Sequence, residues 1–344
     1  MISSAIVSWR RLAALALCAL SSLALAAPKT YNAVQIEAGG KPVLKAVAML
    51  EPAAGQVRVR VYAVGVNPVD WKTVQRMAAG TAPVGVNNEL NPYNTPGYDA
   101  AGVIDAIGAG VSGFKAGDAV IVWTRARGTY AEYVVAPAET VVPKPKNISF
   151  AEAAGIPHAS MTAWNMLVDV AQVQKGQSVV VLGGSGGVGS AAVQIAKSRG
   201  ARVISTASTS NIDLLKSLGV DQPIDYKTQN FEDIVRDADV VINTVDSDNA
   251  NKALKVLKKG GILVSVGGLP SDADCAAAQV RCSNRTMTGT SQHDMLTGLA
   301  RLAEQGQFRI VIDKSYASLA ETAQAWEYSQ GGHTRGKSVI EVGH

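Results

Sequence analysis

The chain has 344 residues, 47% of them hydrophobic and 17% charged, with 33 glycines and a formal net charge of +4. That length accommodates two domains, and the apolar and glycine content suits a well-packed α/β protein. So small a charge gives no argument for a surface built to hold nucleic acid or an anionic membrane.

The N-terminus reads as an export signal. Arg10 and Arg11 form a positive region, Leu12 to Leu25 an apolar run, and Ala24-Leu25-Ala26 a small-residue cleavage site, so residues 1–26 are expected to be removed. The run is shorter than the roughly 20 residues of a spanning helix, and no stable membrane anchor is expected after processing. Leu17 before Cys18 argues against a lipoprotein anchor. The paired arginines raise the twin-arginine route, which exports folded proteins, although Trp9 and Ala13-Ala14 depart from its usual pattern. The expected location is periplasmic or secreted, or cytoplasmic if the true start lies downstream. Processing leaves a charge near +2 and two cysteines, Cys275 and Cys282. An even pair suits an oxidising compartment and predicts a disulfide that ties down a polar loop.

From Tyr31 to Val142 the chain is β-rich. Val57 to Val64 alternates polar and apolar residues as a half-buried strand does, and glycines punctuate the stretch up to Pro143-Lys144-Pro145. From Ser149 onward strands alternate with helices: Val179–Leu182, Val203–Thr206, Pro223–Asp225, Val240–Asn243 and Ile262–Val266 are the expected strands, as a parallel, doubly wound sheet requires. A helix around Met295–Gln305, a strand at Ile310–Ile312, a helix around Leu319–Tyr328 and a strand at Lys337–Val342 follow.

The strand Val179–Leu182 runs into a glycine turn and then a helix. Gly184, Gly186 and Gly189 give G-x-G-x-x-G in the strand–turn–helix setting of a dinucleotide site. The first glycine is expected to make the tight turn, the second to admit a pyrophosphate, and the third to let the helix pack close to the strand. With Gly187 and Val188, they would present N–H groups at the helix start to phosphates. After the next strand an NAD site would carry an acidic residue for the ribose 2′-hydroxyl. Here Ser208, Thr209, Ser210 and Asn211 stand instead, and the first acid, Asp213, falls in the following helix. That favours NADP(H), with Tyr226 and Lys227 as further candidate contacts; each of these side chains is otherwise an ordinary solvated loop residue.

Several further stretches carry a family resemblance: Gly65-Val66-Asn67-Pro68-Val69-Asp70-Trp71-Lys72, Pro96-Gly97-Tyr98-Asp99-Ala100-Ala101-Gly102, Gly128-Thr129-Tyr130-Ala131-Glu132-Tyr133, Met161-Thr162-Ala163-Trp164, Ile224-Asp225-Tyr226 and Arg335-Gly336-Lys337. In this order, together with the glycine turn, they resemble the medium-chain dehydrogenase/reductase superfamily, in its zinc-free quinone oxidoreductase and alkenal (enone) reductase branch. The resemblance implies an α/β fold with two parts. A GroES-like β-rich catalytic domain would be formed by residues 27–148 and 291–344, clasping a Rossmann domain of residues 149–290 with a doubly wound parallel sheet. It leaves a homodimer open.

Metal-dependent relatives have a cysteine where this chain has Asn67 and a His-Glu pair where it has Tyr98-Asp99. Zinc needs three or four placed Cys, His or carboxylate ligands. The histidines His158, His293, His333 and His344 and the two late cysteines make no such set, so no metal is expected. Without zinc the substrate must accept hydride readily, as quinones and α,β-unsaturated carbonyls do. Asn67 is a candidate amide donor in the cleft, Lys72 is similar in position to a cofactor-contacting lysine of alkenal reductases, and Tyr98 is the candidate proton donor. His333, Thr334 and Arg335 resemble a late cofactor contact. Set against these roles, Asn67-Pro68 is a common turn pair, Asp70 a helix cap, Lys72 a solvated charge and Tyr98 a residue of the cleft rim. The expectation is NADPH-dependent reduction of a small electrophile. A metal-free carbonyl reductase and a nucleotide-binding protein with little catalysis are the alternatives.

Overall fold

A computed structural model describes residues 29–81, 89–284 and 289–343; the expected signal, residues 1–26, lies outside them. The N-terminal half contributes β1 (Thr30–Ile36), β2 (Pro42–Ala48), β3 (Gln56–Val66), α1 (Pro68–Ala78), β4 (Asp99–Ile107), β5 (Ala119–Trp123), β6 (Tyr133–Pro137) and β7 (Val141–Pro143). The expected alternation is visible in β3, where Val57, Val59 and Val61 are fully buried. Arg58, between them, faces the other way and pairs with Asp105 of β4 at 2.9 Å.

Helices α2 (Phe150–Gly155) and α3 (Pro157–Trp164) lead, through a π-helical turn at Asn165–Val170, into the second unit. This unit comprises β8 (Ser178–Leu182), α4 (Gly187–Ser198), β9 (Arg202–Ala207), α5 (Ile212–Ser217), β10 (Gln222–Asp225), α6 (Phe231–Ile234), β11 (Ala238–Asn243), α7 (Ser247–Ala253), β12 (Leu257–Ser265), α8 (Asp272–Ala277) and β13 (Arg281–Asn284). Its six strands are all parallel, in the order β10-β9-β8-β11-β12-β13. The order reverses at β8, the doubly wound arrangement that opens a crevice at the carboxyl ends of the central strands. β8 is covered on both faces, which is why it is an unbroken apolar run. Val179 and Val181 pack with Ala192 and Ile195 of α4, while Val180 and Leu182 pack with Ala250 and Ala253 of α7.

The chain then returns to the first unit through α9 (Gln292–Glu304), β14 (Ile312–Tyr316), α10 (Thr322–Gln330) and β15 (Lys337–Glu341). β15 pairs antiparallel with β3, from Ser338 opposite Val66 to Glu341 opposite Ala63. The seven-stranded sheet, in the order β14-β15-β3-β4-β5-β7 with β6 beside β3, is therefore built from both ends of the chain.

Two local expectations need correction. The strand expected at Ile310–Ile312 begins only at Ile312 and runs through Asp313, Lys314 and Ser315. It is an edge strand with a polar outer face, whereas Ile310 and Val311 pack against the core outside the ladder. The polar loop expected around the cysteines is ordered as α8 and β13. The predicted Cys275–Cys282 disulfide is formed, joining the helix to the edge strand beside it. Ser271 caps α8 by accepting the Asp274 N–H at 3.1 Å, and β13 runs parallel to β12 from Arg281 opposite Ile262 to Asn284 opposite Ser265.

Closing so short a loop removes unfolded-chain entropy equivalent to about 2–3 kcal/mol at most. A Cys275→Ala/Cys282→Ala chain should lose about 2 kcal/mol in urea unfolding. An unchanged midpoint would mean that the β12–β13 ladder holds the edge alone.

Candidate active site

The glycine turn lies between β8 and α4. Its left-handed residue is Gly183 (φ 82°), not Gly184 as expected. Gly184 is required for a different reason: a Cβ there would lie 1.9 Å from Ser205 Oγ on β9. Gly189 fills its expected role, since a Cβ would come within 2.1 Å of the Gly183 carbonyl and push α4 off the strand. Gly186 is different again. The only heavy atom near its Cβ position is the Gly183 oxygen at 3.6 Å, so the space beside it is open. The first turn of α4 carries no acidic residue to neutralise its N–H groups. An open, glycine-lined helix start of this kind fits a pyrophosphate.

This turn borders a cleft of about 690 Å³. Ser208, Ser210, Asn211 and Tyr226 line one side, and His333 and Thr334, from the segment before β15, line another. Ser208 Oγ lies 3.2 Å from Ser210 Oγ and accepts from Asn211 Nδ2 at 3.1 Å, so small neutral groups form the end of β9. Thr209 is turned away: its hydroxyl bonds to Asp225 and holds that carboxyl below its ordinary range. Lys227 rests 5.2 Å from the Tyr226 ring centroid. Two acids do line the cleft farther on, but both are engaged. Glu232 pairs with Lys252 at 3.5 Å, and Asp246 caps α7 by accepting from Asn249. Val188 packs on the core. Arg335 is exposed, and its backbone N–H donates to Asp313 at 3.1 Å.

The segment carrying His333 is fastened directly to the turn. Gly336 N–H donates to Ser185 O at 2.8 Å, closing a bridge between Gly186 and Gly336. The next residue, Lys337, is only 4% exposed and enters a buried polar cluster. Its ammonium donates to Val66 O at 2.7 Å and to Asn67 Oδ1. Asn67 Nδ2 donates to Asp99 Oδ2 at 2.8 Å and to Gly65 O at 3.3 Å. Asp99 also accepts the His158 N–H, and Asp70 Oδ2 accepts from Asn67 N–H at 2.8 Å and from Tyr130 Oη at 2.9 Å. Trp326 Nε1 donates to Tyr130 Oη at 3.2 Å.

Burial dominates the titration of this cluster. It pushes Asp70 up to about 7, reinforced by the Asp99 charge and opposed by the Asn67 N–H and the Tyr130 hydroxyl. It raises Asp99 to about 6, against the pull of Lys337, Asn67 and the His158 N–H. It also lowers Lys337, against the attraction of both carboxylates.

A second cavity, of about 510 Å³, lies on the other side of α3. Ala159 of that helix stands 3.7 Å from the Cβ position of Gly187, while the neighbouring His158 and Thr162 face the cavity. Tyr98 and His158 line it together, ring centroids 5.8 Å apart, with Val69, Trp123, Met161 and Met295 supplying apolar walls. Thr290, on the far wall, donates from its hydroxyl to Asp169 at 2.6 Å, and Asn165 holds the other Asp169 oxygen at 2.8 Å. The π-helical turn therefore positions that wall.

The structure places Tyr98 in the second cavity and corrects two companions. Asn67 is 1% exposed, and both hydrogens of its amide are taken by Asp99 and Gly65, so it has none to offer a substrate. Lys72 lies on the solvent face of α1, 5.3 Å from the Trp71 ring centroid, and lines neither cavity. Residue-type reasoning missed Lys337, which appeared only within the Arg335-Gly336-Lys337 motif, and His158, weighed only as a metal ligand. Among the described residues no three His, Cys, Asp or Glu cluster as a metal site.

Comparison with known proteins agrees with this architecture. The family model described as "Alcohol dehydrogenase GroES-like domain" matches residues 53–146, "Alanine dehydrogenase/PNT, C-terminal domain" matches 151–266, and "Zinc-binding dehydrogenase" matches 218–340. The chain is 37% identical to 2-methylene-furan-3-one reductase of Solanum lycopersicum over 306 residues, covering 86% of this chain and 74% of that one. It is 35% identical to the chloroplastic NADPH-dependent alkenal/one oxidoreductase of Arabidopsis thaliana, covering 91% and 80%. The structure of the quinone oxidoreductase from Coxiella burnetii superposes with a TM-score of 0.77 at 31% identity, over 92% of this chain and all of that one.

Removing the ammonium strands a buried carboxylate and two carbonyl oxygens, so Lys337→Met should cost about 3–5 kcal/mol in urea unfolding. Asp70 supplies a pH test. The native state keeps its proton up to about pH 7, whereas the unfolded carboxyl releases it near 3.8. Its contribution to stability is therefore full below that lower value and fades as pH rises through 7. Asp70→Asn should flatten the decline in unfolding free energy measured from pH 5 to pH 8 (about the window of that shift); an identical slope in both chains would refute it.

Proposed function

The chain belongs to the medium-chain dehydrogenase/reductase superfamily, in its quinone oxidoreductase and enone reductase branch, and from that premise we propose an NADPH-dependent, zinc-independent reductase of α,β-unsaturated carbonyls and quinones. One observation carries the reading: a glycine-turn cleft suited to a dinucleotide stands beside a mostly apolar cavity in which Tyr98 and His158 lie side by side. A dinucleotide held at the glycine turn, with Ser208, Ser210 and Asn211 beside it, would supply hydride. Val69, Met161 and Met295 hold the carbon skeleton. An enone gains hydride, one proton with two electrons, at its β-carbon and becomes an enolate, while a quinone becomes a hydroquinone anion. Tyr98 Oη, or water beside it, delivers the proton to the α-carbon.

Support for NADPH over NADH comes from the neutral Ser208, Ser210 and Asn211 at the end of β9, where a 2′-phosphate meets no carboxylate. Zinc independence is supported by the positions that hold metal ligands in metal-dependent relatives. Asn67 and Asp99 are hydrogen-bonded to each other, and the positive charge beside them is the Lys337 ammonium. In this reading residues 27–148 and 291–344 form the catalytic unit and 149–290 the cofactor unit. We place the mature protein outside the cytoplasm, exported folded with its cofactor; the Arg10-Arg11 pair and the Cys275–Cys282 bond support that location.

The reading predicts NADPH oxidation with 2-alkenals, enones and quinones that a chelator leaves unchanged, and faster turnover with NADPH than with NADH. Inactivity across that panel would overturn it. Tyr98→Phe should lower kcat by about 100-fold or more, with the KM for NADPH little altered. Ser210→Asp should raise the KM for NADPH and spare that for NADH. Replacing Arg10 and Arg11 by lysine should block export, and undiminished export would refute the folded route.

A further inference from the structure

The substrate cavity has an uneven charge distribution that hydride transfer to a neutral enone does not require. Among the described residues no aspartate or glutamate lines it, and the exposed Arg125 is the one permanently cationic side chain on its wall. Arg125 follows β5, next to Thr124, whose N–H donates to the Tyr98 carbonyl at 3.1 Å. Its guanidinium is held at both sides. The Trp123 ring centroid lies 5.9 Å away, and on the facing wall the Gln292 amide oxygen, turned toward it, accepts from Nε and Nη2 at 2.9 Å each. Gln292 opens α9 and so sits on a fixed element. The nearby Asp294 is committed to Ser291, whose hydroxyl donates to it at 2.7 Å, and does not line the cavity. Among the described residues Arg125 makes no ion pair.

A guanidinium has five N–H donors arranged as forks. Gln292 occupies the fork formed by Nε and Nη2, which leaves the Nη1/Nη2 fork, matched in geometry to a carboxylate, with no acceptor among the described residues. Resting on the reductase reading above, we propose that Arg125 selects substrates carrying a carboxylate in addition to the reducible double bond or quinone ring. The preferred class is an enone or quinone acid, its reducible end beside Tyr98 and His158 and its carboxylate on the Arg125 fork. The chemistry at the double bond is the one already described; the acid group is bound and unchanged.

The test compares a straight-chain vinyl ketone ending in a carboxylate with its methyl ester, using the holoenzyme and saturating NADPH. The wild type should favour the acid in kcat/KM by about 10- to 100-fold, the worth of a charge-assisted contact, and salt should erode the preference. Arg125→Gln should bring the acid-to-ester ratio toward one, and Arg125→Lys should keep part of it. Three results would overturn the inference: equal use of acid and ester by the wild type, an equal loss on both in Arg125→Gln, which is the mark of packing on Trp123, or a raised KM for NADPH in that variant. Turnover of the ester without acid preference sinks this inference alone, whereas no NADPH oxidation with either compound removes the reductase reading beneath it.

Discussion

The contact on which the rest of this structure depends is that of the Lys337 ammonium with Asn67 and the Val66 carbonyl, one residue after Gly336 bonds to the glycine turn. Within two consecutive residues the last strand touches the cofactor turn of one unit and the start of α1 in the other. β15 can lie beside β3 because Lys337 finds oxygen partners in an otherwise closed interior. The whole seven-stranded sheet is completed by that addition.

Such a cluster is costly in isolation. Two carboxyls and an ammonium out of water lose hydration that mutual attraction does not fully restore, as the raised Asp70 and Asp99 and the lowered Lys337 all record. What makes it tolerable is the density of directed bonds: the Asn67 amide, the Tyr130 hydroxyl, the Trp326 indole and the His158 N–H each satisfy an oxygen. The His158 bond also has a geometric effect. Asp99 holds the first turn of α3, and α3 then presents His158 to the substrate cavity and Ala159 to the cofactor turn. Burial is thus converted into alignment of the two clefts.

The far wall of the substrate cavity is positioned by separate means. Residues 289–292 come later in the chain than β13, the edge strand that the Cys275–Cys282 bond joins to α8. Thr290 is then anchored on Asp169 and Gln292 on Arg125. The two units therefore meet across the cavity through polar contacts, with the apolar side chains between them.

Much of this protein was legible in its residues. The apolar run Val179–Leu182 and the glycines after it are local signals, because burial on two faces and close packing each constrain residue type directly. The Cys275–Cys282 pair was legible for a similar reason, its closeness in sequence. Other features depend on contacts between residues far apart in the chain. The edge strand Ile312–Tyr316 has no apolar alternation because only one side is paired, and the apolar residues just before it serve the core. Asn67 looks like a cleft donor until Lys337, 270 residues away, takes its oxygen and Asp99 its amide hydrogen. Lys72 looks like a phosphate ligand until the rotation of α1 puts it on the solvent face. Local chemistry alone determined that a dinucleotide turn and a doubly wound sheet exist here. Which side chains stay available to a ligand was decided only by the tertiary structure, since a polar group's availability depends on whether the fold brings it a partner first.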